Sequence, residues 1–393
     1  MKVTQIYTYP IKSLRGVALP EAAVTSTGFQ YDRRFMLLKV KTSDDGTETL
    51  QNMHVPHFPE MSLFLTDIVF PTEGQNDGKT RVTYRPPGVD DTADPRVKTL
   101  EIPLQPDVRG KEELGVIMHQ SPTKGYNMGS EYNDWFGECF GYRVVLAYLG
   151  PNWRPVLGSF APAKSPIHGQ QRQSTTSLVS TRSLATLASL TLLLNAIGVP
   201  MAREKTGASL LPSAVATAVA VILSLVIGRG WSLWDKKKEE KITFADSAPY
   251  LVVSETSVDN VSARLAGDEE MDVTKFRPNI VVAGAATAFE EDFWAELTVG
   301  EGARLLLTAN CVRCQSLNVD YTTGKMGTGD SGSVLKKLMK DRRVDKGAKY
   351  SPVFGRYSFL DPASENVLIR VGDEVAVAKT ADERTVYDWP GLG

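Results

Sequence analysis

Two consecutive charge-free segments in the middle of the chain constrain its fold more than any other feature. They comprise residues 183–201 and 206–228, and the short polar break Ala202-Arg203-Glu204-Lys205 separates them. At a rise of about 1.5 Å per residue, each segment approaches the hydrocarbon thickness of a bilayer, which is about 30 Å. So short a break allows only a tight hairpin. The pattern therefore predicts two membrane-spanning helices that return the chain to the side it left.

Two alternatives to a spanning hairpin stay open, because Asn195 and Pro200 interrupt the first segment. These alternatives are a pair of buried core helices and an element that lies in the membrane interface. The basic residues that flank the hairpin outnumber Arg203 and Lys205 at its tip; they are Arg172, Arg182, Arg229, Lys236, Lys237 and Lys238. The positive-inside rule therefore predicts that both globular parts face the cytosol.

Composition excludes several classes of protein. A chain of 393 residues with 42% hydrophobic and 23% charged residues is long and apolar enough for two or three folded domains, so disorder, collagen and a small disulfide scaffold are excluded. Because 44 basic residues nearly balance 46 acidic ones, the chain has no overall positive electrostatic field that would favour the binding of nucleic acid. The three cysteines are too few for a disulfide framework and favour a reducing compartment.

The two ends of the chain have the patterns of globular domains. We divide the chain into a β-rich domain at residues 1–163, a polar linker with the hairpin at residues 164–240, and a second globular domain at residues 241–393. Apolar runs between turn residues predict strands at residues 3–9, 35–40, 61–70, 142–148, 250–253, 280–282, 304–308 and 367–371. Apolar residues at three-to-four spacing predict helices at residues 130–140 and 258–265.

The most distinctive local motif is Cys311-Val312-Arg313-Cys314, which follows an apolar run. A zinc site needs two further ligands, and Cys139 with four scattered histidines offers no second pair at a suitable spacing. A thioredoxin-like dithiol needs a strand-to-helix turn in a βαβ unit, which the following residues do not predict. The third interpretation is that one thiolate, a soft ligand, binds the metal of a cofactor while the other cysteine is only packed.

A second motif, Gly329-Asp330-Ser331-Gly332, matches the nucleophile motif of chymotrypsin-like proteases. No histidine of the chain lies in the sequence context of such a triad. The run Leu335-Lys336-Lys337-Leu338 predicts a helix directly after the motif. We therefore interpret these four residues as a turn and a helix start.

Several motifs together resemble the MOSC domain, and in particular the branch of the mitochondrial amidoxime-reducing component. In order along the chain they are YPIKSLRGV, YDRRFMLL, FADSAPYLVVSE, KFRPNIVV, CVRCQSLNVDYTTGKMG, SPVFGRY and VGDEV. The resemblance implies a mainly β (α+β) fold, in which an N-terminal β-barrel-like domain packs on a MOSC β-barrel with the hairpin between them. It also implies a molybdenum–pterin cofactor.

The resemblance assigns roles to individual residues. It implies that Cys314 is the molybdenum ligand and the catalytic residue, and that Cys311 is not. The positions that resemble cofactor contacts are Lys12, Ser13, Arg34, Ser254, Arg277, Asn279, Arg313 and Tyr357. A pterin carries a phosphate and many hydrogen-bonding edges, so its buried site needs cations and amides, which Lys12, Arg34, Arg277 and Asn279 supply. Val312 replaces the serine that is usual in that branch.

The implied function is a molybdenum-dependent reductase of N-hydroxylated compounds such as amidoximes and hydroxylamines. The implied electron donors are a b-type cytochrome and its flavin reductase, and the implied location is the mitochondrial outer membrane, with the endoplasmic reticulum as an alternative. Pyridoxal phosphate binding is a further property associated with the family. The alternatives are a membrane-anchored carrier of molybdenum cofactor or sulfur, and a structural protein that has lost its ligand chemistry. Nucleic acid is not an expected partner.

Overall fold

The described part of the chain consists mainly of short β-strands, as the sequence pattern predicts. The computed structural model describes residues 1–89, 93–168, 239–267 and 269–391. Within these ranges no helix has the length and apolar character needed to cross a bilayer. The predicted hairpin segments at residues 183–201 and 206–228 lie outside the described residues, so the hairpin stays a prediction.

Thirteen strands precede the linker and ten follow it in the described residues. The first group comprises β1 Lys2–Thr8, β2 Val17–Leu19, β3 Glu21–Thr25, β4 Gly28–Phe29, β5 Phe35–Thr42, β6 Glu48–Asn52, β7 Phe64–Val69, β8 Lys79–Tyr84, β9 Lys98–Pro103, β10 Glu113–Met118, β11 Ser121–Asn127, β12 Val144–Tyr148 and β13 Arg154–Pro155. The second comprises β14 Lys241–Ile242, β15 Tyr250–Ser254, β16 Ile280–Ala283, β17 Trp294–Val299, β18 Ala303–Val312, β19 Val319–Asp320, β20 Lys325–Met326, β21 Val353–Leu360, β22 Leu368–Arg370 and β23 Val375–Thr380.

The largest sheet joins strands from both ends of the chain. Its order is β2-β1-β16-β15-β21-β18-β17-β23. Hydrogen bonds from Val3 N to Asp373 O and from Val375 N to Met1 O, each 2.9 Å long, connect β1 to the start of β23 and close the sheet on itself. Its interior is filled by apolar side chains such as Ile6, Ile280 and Leu305, none of which is exposed. Closure leaves fewer unpaired strand edges than an open sheet of this size.

A second body of structure follows β4 in the chain. It contains the sheet β10-β11-β12-β5-β6 and the three-stranded sheet β7-β8-β9. Helix α1, Ser130–Phe140, covers its core with Phe136, which is fully buried. The helix ends at Gly141, whose left-handed conformation (φ 77°) is the favoured C-terminal cap. The predicted helix at residues 130–140 is confirmed.

The other two α-helices of the described residues are short. Helix α2, Glu255–Ser262, begins three residues before the predicted start and ends three residues before the predicted end. Helix α3, Val334–Leu338, follows a turn at Asp330, which confirms the interpretation of the protease-like motif as a turn and a helix start.

The mainly β fold is confirmed, and one detail differs from the expectation of two consecutive domains. Strands β1 and β2 come from the N-terminal end, yet they pair within the sheet that contains the C-terminal strands. The segments Met1–Ile167 and Glu240–Gly393 accordingly form one compact unit, and the remaining unit, His168–Glu239, lies almost entirely outside the described residues. The domain ranges themselves stay predictions.

Candidate active site

The loop that follows β1 buries Lys12. Its backbone N–H donates to Phe35 O at 2.8 Å, which fixes the loop against β5. The Lys12 ammonium binds the Asp246 carboxylate, and the lysine side chain is only 6% exposed whereas that of Asp246 is 52% exposed. Burial lowers the pKa of Lys12, and Asp246 opposes that shift. Ser13, also buried, has a left-handed backbone (φ 70°), so the chain turns sharply after the lysine.

Two arginines lie over the ring of Tyr9. The guanidinium carbons of Arg33 and Arg277 are 4.6 Å and 4.4 Å from the ring centroid. Arg277 donates from Nη1 to Leu14 O at 2.7 Å, and its Nη2 is buried without an acceptor in the described part of the chain. A buried donor without a protein acceptor is available to a ligand or to a water molecule. Burial lowers the pKa of Arg277.

Asn279 has no hydrogen-bonding capacity left for a ligand. Its Oδ1 accepts from Arg33 Nη1 and from Leu251 N, both at 3.2 Å. Its Nδ2 donates to Tyr7 O at 3.2 Å and to Asp32 Oδ1 at 3.4 Å. Because all four positions are occupied, Asn279 orients Arg33 and joins β1, β15 and β16 rather than offering an amide to a cofactor.

The two cysteines of the 311–314 motif have opposite environments. Cys311 is buried at the end of β18, and Arg313 Nη1 donates to its sulfur at 2.9 Å. Burial raises the pKa of Cys311, and Arg313 opposes that shift. Cys314 is exposed, and its sulfur lies 3.3 Å from the hydroxyl of Ser316. Of the two thiols, Cys314 is the one that an external metal reaches.

Tyr357 on β21 stands beside Cys311. It is buried, and burial together with the Cys311 sulfur raises the pKa of its phenol well above the ordinary value. Tyr357 therefore stays a neutral hydroxyl at physiological pH. Its ring also packs against Phe160, with ring centroids 6.0 Å apart.

Hydrogen bonds connect these groups across the two halves of the chain. Arg313 Nη2 donates to Phe276 O at 2.9 Å, and Phe276 precedes Arg277. Arg277 in turn binds Leu14 O, two residues after Lys12. The segment that carries Cys314 is thus linked to the loop that carries Lys12.

Sequence reasoning missed a polar cluster around Asp246. His119 Nε2 lies 3.3 Å from Asp246 Oδ1, the oxygen that also binds Lys12. His54 stacks on His119 with ring centroids 5.7 Å apart, and burial, reinforced by Lys12, lowers the pKa of His54 to about 3. The only available signal was Asp246 itself, the one acid in the otherwise apolar or small-residue segment 242–254. No spacing in the sequence indicates that the histidines converge.

Arg34 and Ser254, two predicted cofactor contacts, take no part in the contacts described above. Arg34 binds Gly150 O and lies over Trp153, 4.8 Å from the ring centroid, in a separate depression of about 430 Å³. It is Arg33 that reaches Arg277 O, at 3.4 Å. The Ser254 hydroxyl is fully buried at the end of β15 and has no hydrogen-bond partner among the described residues. Arg33 lies in the turn before β5 and has a left-handed backbone (φ 50°), so it leaves the chain in a different direction from Arg34.

The donor set fits a phosphate-bearing cofactor that a thiolate anchors through a metal. Lys12 pairs with Asp246 and Arg33 with the buried Asp32, whereas Arg277 keeps a buried donor free of protein acceptors in the described residues. Cys314 supplies an accessible soft ligand. Within the described residues, no three His, Cys, Asp or Glu side chains converge in a metal-binding arrangement. Nothing observed tests the expectation of pyridoxal phosphate binding.

Comparison with known proteins identifies both halves of the chain. The family model of the MOSC domain matches residues 239–376, and that of the MOSC N-terminal beta barrel domain matches residues 1–143.

Human mitochondrial amidoxime-reducing component 1 is 34% identical over 140 residues, which are 35% of this chain and 40% of that protein. The zebrafish component 1 is 34% identical over 120 residues, 30% of this chain and 35% of that protein. Mitochondrial amidoxime reducing component 2 of cattle is 32% identical over 139 residues, 35% and 39% of the two chains. These matches span about two fifths of the relatives' length.

Proposed function

Because the chain is a MOSC protein that also carries the MOSC N-terminal barrel domain, we propose that it binds a molybdenum–pterin cofactor and reduces N-hydroxylated compounds such as amidoximes and hydroxylamines. The observation that supports this most directly is the contrast between its two cysteines. Cys311 is buried and bound by Arg313, whereas Cys314 presents an exposed sulfur. The names of the similar mitochondrial proteins support the reductase class.

The residues of the site have distinct tasks in this proposal. Cys314 is the protein ligand of the metal. Lys12 and Arg277 bind the phosphate of the pterin, because both cations are buried and Arg277 has an unused N–H. Arg33, held by Asn279 and paired with the buried Asp32 carboxylate, packs beside Arg277 on the ring of Tyr9. Arg313 keeps Cys311 and the chain before Cys314 in place.

When bound, the molybdenum centre supplies the two-electron redox chemistry that no side chain of this site provides. Cleavage of one N–O bond consumes two electrons and two protons and releases water. We propose that the electrons come from a b-type cytochrome and its flavin reductase. Tyr357 is a neutral hydroxyl beside Cys311, as an unperturbed phenol also is at neutral pH, and burial raises its pKa further. We further propose attachment to the mitochondrial outer membrane, or to the endoplasmic reticulum, through the hairpin.

The test compares metal content and turnover in three full-length proteins purified in detergent from a host that makes the cofactor. Wild type and a Cys139→Ala control should each carry close to one molybdenum per chain, because Cys139 lies in α1 outside the site. Cys314→Ala should lose the metal. Wild type with a chemical reductant should convert benzamidoxime to benzamidine.

Three results would contradict parts of the proposal. Molybdenum in the Cys314→Ala protein would exclude this cysteine as the ligand. Stoichiometric molybdenum in the wild type without turnover would favour the carrier function. Absence of the metal from all three proteins would reject cofactor binding.

A further inference from the structure

The last eleven described residues, 381–391, follow β23 and lie beyond the region that the MOSC model matches, which ends at residue 376. They form no helix or strand, yet every second side chain from Thr385 to Trp389 is buried. The side chains of Tyr387 and Trp389 both meet the ring of Phe160 edge-on, at centroid distances of 5.1 and 5.3 Å. We call residues 381–391 the C-terminal strap.

Residues elsewhere in the fold bind the strap and leave room for its backbone. Arg384 binds Asp292 at 2.7 Å, and the backbone N–H of Tyr387 donates to Asp345 Oδ1 at 2.9 Å. A side chain at Gly347 would lie 1.8 Å from Tyr387 O, so only glycine allows the strap to come this close. These contacts fix the strap along its length.

The strap ends on an unusual turn of the candidate site. His119 and Gln120 form the two-residue connection between β10 and β11, and both have left-handed backbones, with φ 51° and 60°. Such a hairpin turn strongly favours Asn-Gly, because other residues are strained in this conformation. A strained conformation persists only where its surroundings hold it.

The surroundings of the turn include the strap on one side and a buried arginine on the other. The indole N–H of Trp389 donates to His119 O at 2.7 Å. Gly391 lies against the Gln120 side chain, where an added Cβ would be 2.1 Å from its amide nitrogen. Arg154 donates to Met118 O at 2.7 Å. Held in this way, the turn directs the His119 imidazole to Asp246. Asp246 in turn binds Lys12.

We propose that Trp389 is a positioning residue of the active site. Its indole holds the His119–Gln120 turn so that His119 orients Asp246, and through Asp246 the buried Lys12. A segment outside both matched domains thus contacts the candidate site in this chain. The effect of this arrangement on catalysis rests on the proposed function. The positioning of His119 by Trp389 does not depend on it.

The experiment uses the metal-free, full-length protein labelled with ¹⁵N-histidine. The chain has only four histidines, and a His119→Gln variant assigns the His119 signals. Wild type and Trp135→Phe, which changes an indole in α1, should show the ring ¹⁵N shift of a hydrogen-bonded His119 Nε2. Trp389→Phe keeps the aromatic packing but removes the donor, so this signature should be lost. Amide exchange in residues 118–121 should become roughly fivefold faster, as expected for the loss of one buried hydrogen bond.

A rescue variant separates positioning from general loss of stability. Gln120→Gly relieves the strain of the turn, since glycine adopts positive φ without a steric penalty. Adding it to Trp389→Phe should restore the His119 signature. A His119 signature that survives Trp389→Phe, or that Gln120→Gly does not restore, would overturn the proposal. Because no metal or substrate is involved, either result is independent of the proposed reductase function.

Discussion

At the scale of single residues, the candidate site divides into groups that bind ligands and groups that hold them. Cys314 and Arg277 retain an exposed sulfur and an unused N–H, whereas Asn279 has none of its hydrogen-bonding positions free. The motif resemblance assigns cofactor contact to all three residues alike. Only the partners of each side chain distinguish them.

A single buried carboxyl outside the site, that of Glu291, leads us to predict how the stability of the fold depends on pH. Its Oε2 accepts from Ser257 Oγ at 2.7 Å, while its Oε1 has no partner in the described residues. Burial raises the pKa of Glu291 from 4.5 to about 7. The folded state therefore binds an extra proton between these values, and stability is lost as the pH rises through about 7.

Replacement of this carboxyl should remove that pH dependence. We expect Glu291→Gln to raise the free energy of unfolding by about 2 kcal/mol at pH 8 and to change it little at pH 5. Chemical denaturation at both values measures this. The exposed Glu301→Gln is the control and should leave the difference between the two pH values as in wild type. A Glu291→Gln protein with the wild-type pH dependence would show that this carboxyl does not titrate in that range.

At the scale of elements, a fully buried arginine joins the β10–β11 hairpin to the segment that carries Asp246. Arg154 on β13 donates to Met118 O and Ser121 O at the two ends of the hairpin turn, and to Ala245 O next to Asp246. Burial lowers its pKa to about 10, and no carboxylate lies within hydrogen-bonding distance of it in the described residues. Carbonyl groups from three segments therefore hold the charge.

Lysine should not substitute for this arginine, because a single ammonium cannot reach all three carbonyls. We expect Arg154→Lys to lower the free energy of unfolding by about 2–4 kcal/mol, since it leaves buried carbonyls without donors. Urea denaturation measures the loss. Arg109→Lys is the matched control, because Arg109 is exposed and pairs with the exposed Asp107. An effect no larger than that of the control would contradict the bridging role.

At the scale of the whole molecule, the chain ends are interdependent. Strand β1 pairs with β16 over residues 2–6 and with β2 over residues 6–8, and its first residues also meet residues 373–375. The C-terminal half without β1 would expose both the edge of β16 and the apolar interior of the barrel. Such an edge favours aggregation over folding.

We therefore expect residues 239–393, produced alone, to be unfolded or aggregated, although they contain the whole region matched by the MOSC model. Circular dichroism and the dispersion of an amide NMR spectrum, compared with the full chain, measure this. A well-dispersed spectrum of the isolated segment would show that β1 is dispensable for closing the sheet.

Local pattern was enough to predict eight of the 23 described strands, helix α1 and the turn at Asp330, because alternation and helical spacing are properties of neighbouring residues. Motif content was enough to indicate the family, whereas the assignment of Cys314 as the metal ligand stays a prediction. Three features depended on residues far apart in the chain: the incorporation of β1 into the C-terminal sheet, the convergence of His54 and His119 on Asp246, and the hold of Trp389 on the β10–β11 turn. Periodicity within a strand or helix carries no information on which distant segments meet. Strand pairing and side-chain packing across the fold decide which segments meet, and only the tertiary structure shows them.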